Sequence, residues 1–190
     1  MKTKFILSGL LFFLFAVSVF GQQSVSDVKS ITAVQIKETL NADKNKKRPL
    51  VIYFWASWCG VCRREIPEFQ AIYKKYSVKG VDFLFISMDD ADSLNEMNGY
   101  LQLQDVRVPT RWYNNQNQGT WMEQVDKNVV TLEDVLGTRI DSFPRTLLYN
   151  SQGKLVLEQR GSFGDGRMKS EISSIAPRKT VGQSVKLKTR

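Results

Sequence analysis

Cys59 and Cys62 are the only two cysteines among 190 residues, and they stand in the run Trp58-Cys59-Gly60-Val61-Cys62-Arg63-Arg64-Glu65-Ile66-Pro67. A strand-like stretch from Leu50 to Ala56 leads into the pair and a helix-like stretch leads out, which places Cys59 at a helix N-terminus and Cys62 one turn in. Unpaired N–H groups and the positive end of the helix dipole favour a thiolate there and depress the thiol pKa. The two sulfurs are within reach of a disulfide, so the chemistry is that of a reversible dithiol/disulfide couple. Other uses of the pair are weaker. Closing so short a loop removes little chain entropy, so a structural staple adds little. A closed zinc site takes four Cys or His ligands, and this chain has two Cys and no His. Covalent c-type haem needs a His directly after the second Cys, where Arg63 stands. Two inert buried cysteines are a further alternative, although they require no Trp-Ala-Ser-Trp run at a strand-to-helix junction.

The absence of His also removes Ser-His-Asp and Cys-His couples and any histidine metal site. Catalysis must rest on thiols, carboxylates, Tyr or cationic side chains. No metal and no cofactor is called for.

The elements that must position the pair follow from periodicity. Thr32 to Gln35 reads as a capping box opening a helix to about Leu40, with Ile31, Val34 and Leu40 available to pack and a polar, basic loop from Asn41 to Arg48. The helix after the cysteines runs to about Tyr76 with Ile66, Phe69, Ile72 and Tyr73 on one face, and Pro67 inside it predicts a kink. Val81 to Met88 is nearly all apolar and reads as a strand buried on both faces, parallel to the strand before Cys59 through a right-handed crossover. Asp92 is the expected cap of a helix to about Leu103, packing through Leu94, Met97 and Leu101. Residues 106–130, with Trp112, Tyr113 and Trp121, are less legible and fit a strand, a loop and a short helix; their aromatics read as core. A short helix follows over Thr131 to Gly137. Arg145 to Tyr149, the turn Asn150 to Gly153 and Lys154 to Gln159 read as a hairpin, and Asp165 as the cap of a final helix from Gly166 to Ile175.

Residues 1–21 have the pattern of a secretory signal: Lys2 and Lys4, then an apolar run from Phe5 to Phe20, then Gly21 as the expected cleavage point. The alternative is an uncleaved membrane anchor, for which the run is somewhat short. Residues 22–176 are read as one domain and residues 177–190 as a basic, flexible tail. The formal charge of +8 is therefore misleading. Without Lys2 and Lys4 it is +6, and Arg178, Lys179, Lys186, Lys188 and Arg190 supply five of those charges, leaving the domain nearly neutral. A solvated tail explains this better than a nucleic-acid partner; contact with an anionic membrane surface is the alternative.

These motifs together resemble the thioredoxin superfamily. Trp58-Cys59-Gly60-Val61-Cys62 matches its W-C-x-x-C signature, Pro67 its helix-kinking proline, and Ser142-Phe143-Pro144 ahead of a strand its cis-proline loop. The apolar leader, the Cys-Arg-x-Glu-x-Pro run and extra residues before the cis-proline are similar to the TlpA/ResA-like group of extracytoplasmic thiol–disulfide oxidoreductases. The resemblance covers about Ser30 to Ile175. It implies an α/β thioredoxin fold, a central mixed β-sheet flanked by helices, with an insertion before the cis-proline loop. It also implies that Cys59 forms the mixed disulfide with a client and Cys62 resolves it. Trp58, Phe143 and Pro144 are then expected to bind the client, which pairs as an added strand. The implied partners are proteins bearing disulfides or thiols and a membrane or extracytoplasmic electron donor, with the protein itself a monomer.

Three departures from the pattern matter. Tyr53 stands where cytoplasmic thioredoxins carry a buried Asp, and a phenol with a reference pKa of about 10 is no proton acceptor near neutrality. Glu65 becomes the candidate for handling the Cys62 proton; the alternative is a surface charge paired with a neighbouring cation. Gly60-Val61 lacks the His that favours strong oxidants, which leans toward a reductant. Arg145 follows the expected cis-proline, to lower a thiol pKa, select acidic clients or sit on a solvated face. The functional expectation is a reductant of client disulfides, as in cytochrome c maturation or repair of oxidised proteins. The rivals are an oxidase or isomerase of secreted proteins and a non-catalytic thioredoxin-fold binding module. A peroxidase is disfavoured by the lack of a Pro-x-x-x-Thr-x-x-Cys run.

Overall fold

The computed structural model describes residues 28–114, 130–162 and 166–177. The expected signal segment, Trp121, the cap at Asp165 and the basic tail from Arg178 onward lie outside them.

Six strands form one mixed sheet in the order β1-β4-β3-β2-β5-β6: β1 (Ser30–Ile31), β2 (Leu50–Trp55), β3 (Asp82–Ser87), β4 (Thr110–Tyr113), β5 (Arg145–Tyr149) and β6 (Leu155–Arg160). β2 pairs parallel with β3 and antiparallel with β5, and β5 and β6 form the expected hairpin. Every residue of β2 is buried, because helices cover both faces. Val51, Tyr53 and Trp55 enter one core with α2 (Gly60–Ser77), α3 (Leu94–Leu103) and α5 (Arg167–Ile175). Leu50, Ile52 and Phe54 enter the other with α1 (Ala33–Lys46) and α4 (Leu132–Leu136). Alternation along a strand produces this division, and it decides which side chains can reach the cysteines.

On the α2 side an aromatic stack lies beneath the redox helix. Trp55 stacks on Phe85 with ring centroids 4.8 Å apart, and Tyr53 sits 5.3 Å from Phe85 and 4.6 Å from Phe69. Such pairs add roughly 0.5–1.5 kcal/mol each beyond burial, so the base of the site is stiff.

Several expectations need correction. The first helix does not stop near Leu40. It runs to Lys46 and ends where Lys47 turns left-handed at φ 55°. Asn41 to Lys46 carries no apolar stripe to signal this, and Val34 is exposed while Ala33 and Ile36 are buried. Asp92 caps nothing: it lies inside a 3₁₀ turn, Ala91–Ser93, that leads into α3 without a side-chain cap. Within residues 106–130, the strand is β4; Tyr113 is buried and Trp112 packs partly buried against the α2-side core.

The extension of α1 buries Asp43 against Asp82 of β3, with Lys46 and Arg48 as the nearby cations. Burial and the Asp82 carboxylate push the Asp43 carboxyl up to about 6. The folded protein thus keeps this proton to about pH 6, whereas the unfolded chain releases it near pH 4. Stability from this group is fully present below pH 4 and lost as pH rises to 6. Asp43→Asn should therefore flatten that loss and stabilise the protein at pH 7 by roughly 1–2 kcal/mol. Urea denaturation at pH 4 and pH 7 checks it; an equal stability difference at both pH values would refute it.

Candidate active site

β2 ends at Trp55 and the chain turns through Ala56-Ser57-Trp58, with the Cys59 N–H donating to the Ala56 carbonyl at 3.1 Å. Cys59 is the N-cap of α2, and its sulfur accepts the Cys62 N–H at 3.2 Å. One orphan donor of the helix start is thereby spent on the redox sulfur. Cys59 and Cys62 form a disulfide with Cα atoms 5.3 Å apart. The two sulfurs are not equivalent: Cys59 is 8% exposed and Cys62 fully buried. Of the two, Cys59 is the one that keeps any exposed surface.

The loop is clamped from β3. Buried Asp89 accepts the Ser57 N–H at 3.0 and 2.9 Å on its two oxygens, the Ser57 hydroxyl at 2.6 Å and the Ser87 hydroxyl at 2.5 Å. Its own carbonyl accepts the indole N–H of Trp112 at 2.6 Å. Sequence reasoning missed this node. Its only signal is an Asp directly after an apolar strand, and Asp90 beside it offers the same.

The Phe143–Pro144 peptide is cis, and Phe143 packs partly buried against the cluster that holds both cysteines. Trp58, 62% exposed, meets Phe143 edge-on with ring centroids 5.7 Å apart. The structure therefore brings Trp58 and Phe143 together, next in the chain to Cys59 and to the cis Pro144, with Cys62 buried one turn into α2. Arg145 does not join them. It is fully buried and lies opposite Phe54 in register, on the face away from α2. Its guanidinium reaches the Arg139 carbonyl at 2.6 Å, Asp141 at 2.8 Å and Glu158 at 2.9 Å. Neither a solvated face nor a role toward thiols or acidic clients fits that position; it ties the loop before Pro144 to β6.

Glu65 is 7% exposed, on the buried face of α2 three residues after Cys62, a spacing that puts Cβ atoms about 5–6 Å apart. The surface-charge alternative does not hold. The Tyr53 hydroxyl donates to Glu65 Oε2 at 3.2 Å. Burial and the adjacent carboxylate hold the Tyr53 phenol far above its ordinary range, so it stays a donor.

Pro67 lies inside α2 and supplies no N–H to the Arg63 carbonyl one turn back. The hydroxyl of Tyr100 from α3 donates to that carbonyl at 2.9 Å, and the Arg63 guanidinium lies 4.6 Å over the Tyr100 ring. Tyr100→Phe should cost about 1 kcal/mol in urea denaturation; no loss would mean that water satisfies the carbonyl equally well.

Residues 24–110 match the AhpC/TSA family. The chain is 22% identical to the thiol-disulfide oxidoreductase ResA of Bacillus subtilis over 166 residues, 85% of this chain and 83% of that one. For ResA of Bacillus thuringiensis the figures are 22% over 132 residues, 70% of this chain and 66% of the relative; the chain thus spans just under two thirds of that protein's length. Among solved structures, the thioredoxin domain of a thiol-disulfide oxidoreductase from Bacteroides vulgatus superposes with a TM-score of 0.52 at 17% identity, covering 72% of this chain and 84% of that one. A thiol:disulfide interchange protein from a Bacteroides species gives 0.52 at 19%, covering 72% and 80%. With the helix-capping disulfide and the cis Phe143–Pro144 peptide in place, the chain has a thioredoxin-like fold and is similar in sequence to the ResA thiol-disulfide oxidoreductases.

Proposed function

We propose that this protein reduces disulfides of client proteins outside the cytoplasm. The observation that carries the reading is the asymmetry of the pair: Cys59 at a helix start with a little surface left, a fully buried Cys62 one turn on, and a cis Phe143-Pro144 peptide whose Phe143 meets Trp58. In the reduced protein the Cys59 thiolate attacks one sulfur of a client disulfide; a mixed disulfide forms and the other client sulfur leaves as a thiolate that takes a proton from water. Cys62 gives its proton to Glu65 and attacks Cys59, closing the Cys59–Cys62 bond and expelling the second client sulfur as a thiolate, which takes a proton from water as Glu65 returns its own. Two electrons pass from the protein dithiol to the client, and a thiol donor at the membrane or in the extracytoplasmic space restores them.

A reducing direction is supported by what surrounds the sulfurs. Strong oxidants stabilise their thiolate, and here no His supplies a charge between the cysteines. A buried carboxylate one turn from Cys62 opposes a second negative charge. Action outside the cytoplasm is supported by the leader pattern of residues 1–21. Among the described residues no helix is long and apolar enough to cross a membrane. The rim of Trp58, Phe143 and Pro144 suits an extended client segment, such as an exported c-type cytochrome precursor or a damaged thiol protein.

Turnover of insulin disulfides with a dithiol donor tests the direction. The protein should accelerate reduction in a Cys59-dependent manner and should not accelerate oxidation of a reduced, unfolded client. Faster oxidation than reduction would favour the oxidase reading, and no Cys59-dependent turnover in either direction the binding-module reading.

A further inference from the structure

Tyr53 lies inside β2, a strand buried at every residue, and a phenol there needs a partner. It finds Glu65, reached from the sheet across to the buried face of α2. Without that hydroxyl, the carboxylate would lose a hydrogen bond in a setting where one to a charged group counts for about 1.5–3 kcal/mol. The ring itself is wedged between Phe69 and Phe85, so the hydroxyl has little freedom to turn elsewhere. We infer that Tyr53 is a positioning residue for the resolving step: its hydroxyl holds the Glu65 carboxylate at the point where the Cys62 proton must go. This rests on the proposed role of Glu65.

Tyr100 of α3 acts on Tyr53 electrostatically, Cys62 lies one turn before Glu65, and Glu68, one turn after it, is paired with Lys169 of α5 at 2.6 Å near the surface. β3 contributes Phe83 and Phe85 to this core. From the sheet, Tyr53 donates to Glu65. Because a bond to the ionised form favours that form, Tyr53→Phe should move the acid limb of the resolving step upward and leave the attack by Cys59 alone.

Reaction of the reduced protein with 5,5′-dithiobis(2-nitrobenzoic acid) separates the two steps, since the first thionitrobenzoate is released by Cys59 and the second by Cys62. In Tyr53→Phe the second phase should slow at least about threefold at neutral pH, its acid limb rising by about half a pH unit, with the first phase within about twofold of wild type. Glu65→Gln should slow the second phase at least about tenfold, and adding Tyr53→Phe to it should change nothing further. Equal slowing by Tyr53→Phe in both backgrounds, or none in either, would overturn the inference. If Glu65→Gln leaves the second phase unchanged, the proton role of Glu65 fails and the inference fails with it; if wild type releases only one thionitrobenzoate per protein, the dithiol reading itself fails. Should Tyr53→Phe not fold, NMR of the unmutated protein decides. The Tyr53 hydroxyl proton should resist solvent exchange and show a nuclear Overhauser contact to the Glu65 side chain, and a rapidly exchanging proton without that contact is the contrary result.

Discussion

Cys62→Ser should convert the protein into a trap: client disulfides open onto Cys59 and stay there as stable mixed disulfides, while turnover falls at least about a thousandfold. The magnitude follows from replacing an intramolecular step by a bimolecular one. A sulfur held as close as Cys62 has an effective concentration far above molar, whereas any external thiol is present at about millimolar. The disulfide in the structure shows that Cys62 reaches Cys59. Cys59→Ser should abolish trapping and turnover together, because the remaining thiol is inaccessible. Mass spectrometry of non-reduced mixtures with an oxidised client reads both variants. Trapping on Cys62 in the Cys59→Ser protein would show that the buried sulfur is open in solution and that the division of roles is wrong.

Asp89→Ala should be the most destabilising single change near the site. The carboxylate gathers the Ser57 N–H, the Ser57 hydroxyl and the Ser87 hydroxyl in a buried position, and truncation leaves three donors with nothing to receive them. At about 1–3 kcal/mol for each buried unsatisfied group, with part recovered by relaxation, a loss of about 3–5 kcal/mol is expected. The effect reaches function because Ser57 lies two residues before Cys59. A slack loop spreads the positions of Trp58 and Cys59 against Phe143, and both thionitrobenzoate phases should slow by about tenfold or more. That pattern differs from Tyr53→Phe, which acts on the second phase alone. Guanidinium denaturation with an unchanged m-value checks the stability; a loss under about 1 kcal/mol would mean that water replaces the carboxylate.

The redox pair, the order of strands and helices around it and the cis-proline loop were legible because each is written in local chemistry: two cysteines in register with a strand end, an apolar run too continuous for one buried face, a proline before a strand. The limits are equally physical. Nothing local marks Asn41 to Lys46 as helical, since that segment buries only Asp43 and is held by what precedes it. The two-residue strand β1 exists through its pairing with β4, a contact distant in sequence. Arg145 looked like a group facing the site, yet the antiparallel register with β2 turns it to the opposite face. The Tyr53–Glu65 and Asp89–Ser57 contacts join residues 12 and 32 positions apart. A sequence shows such groups but not which of them meet.

The account stands most directly on the reduction potential of the Cys59–Cys62 couple. Equilibration of the purified protein against glutathione or dithiothreitol buffers, read by Trp fluorescence, should give one reversible two-electron transition near the thioredoxin value of about −270 mV. A midpoint near the DsbA value of about −120 mV, or a pair that cannot be cycled, would contradict it.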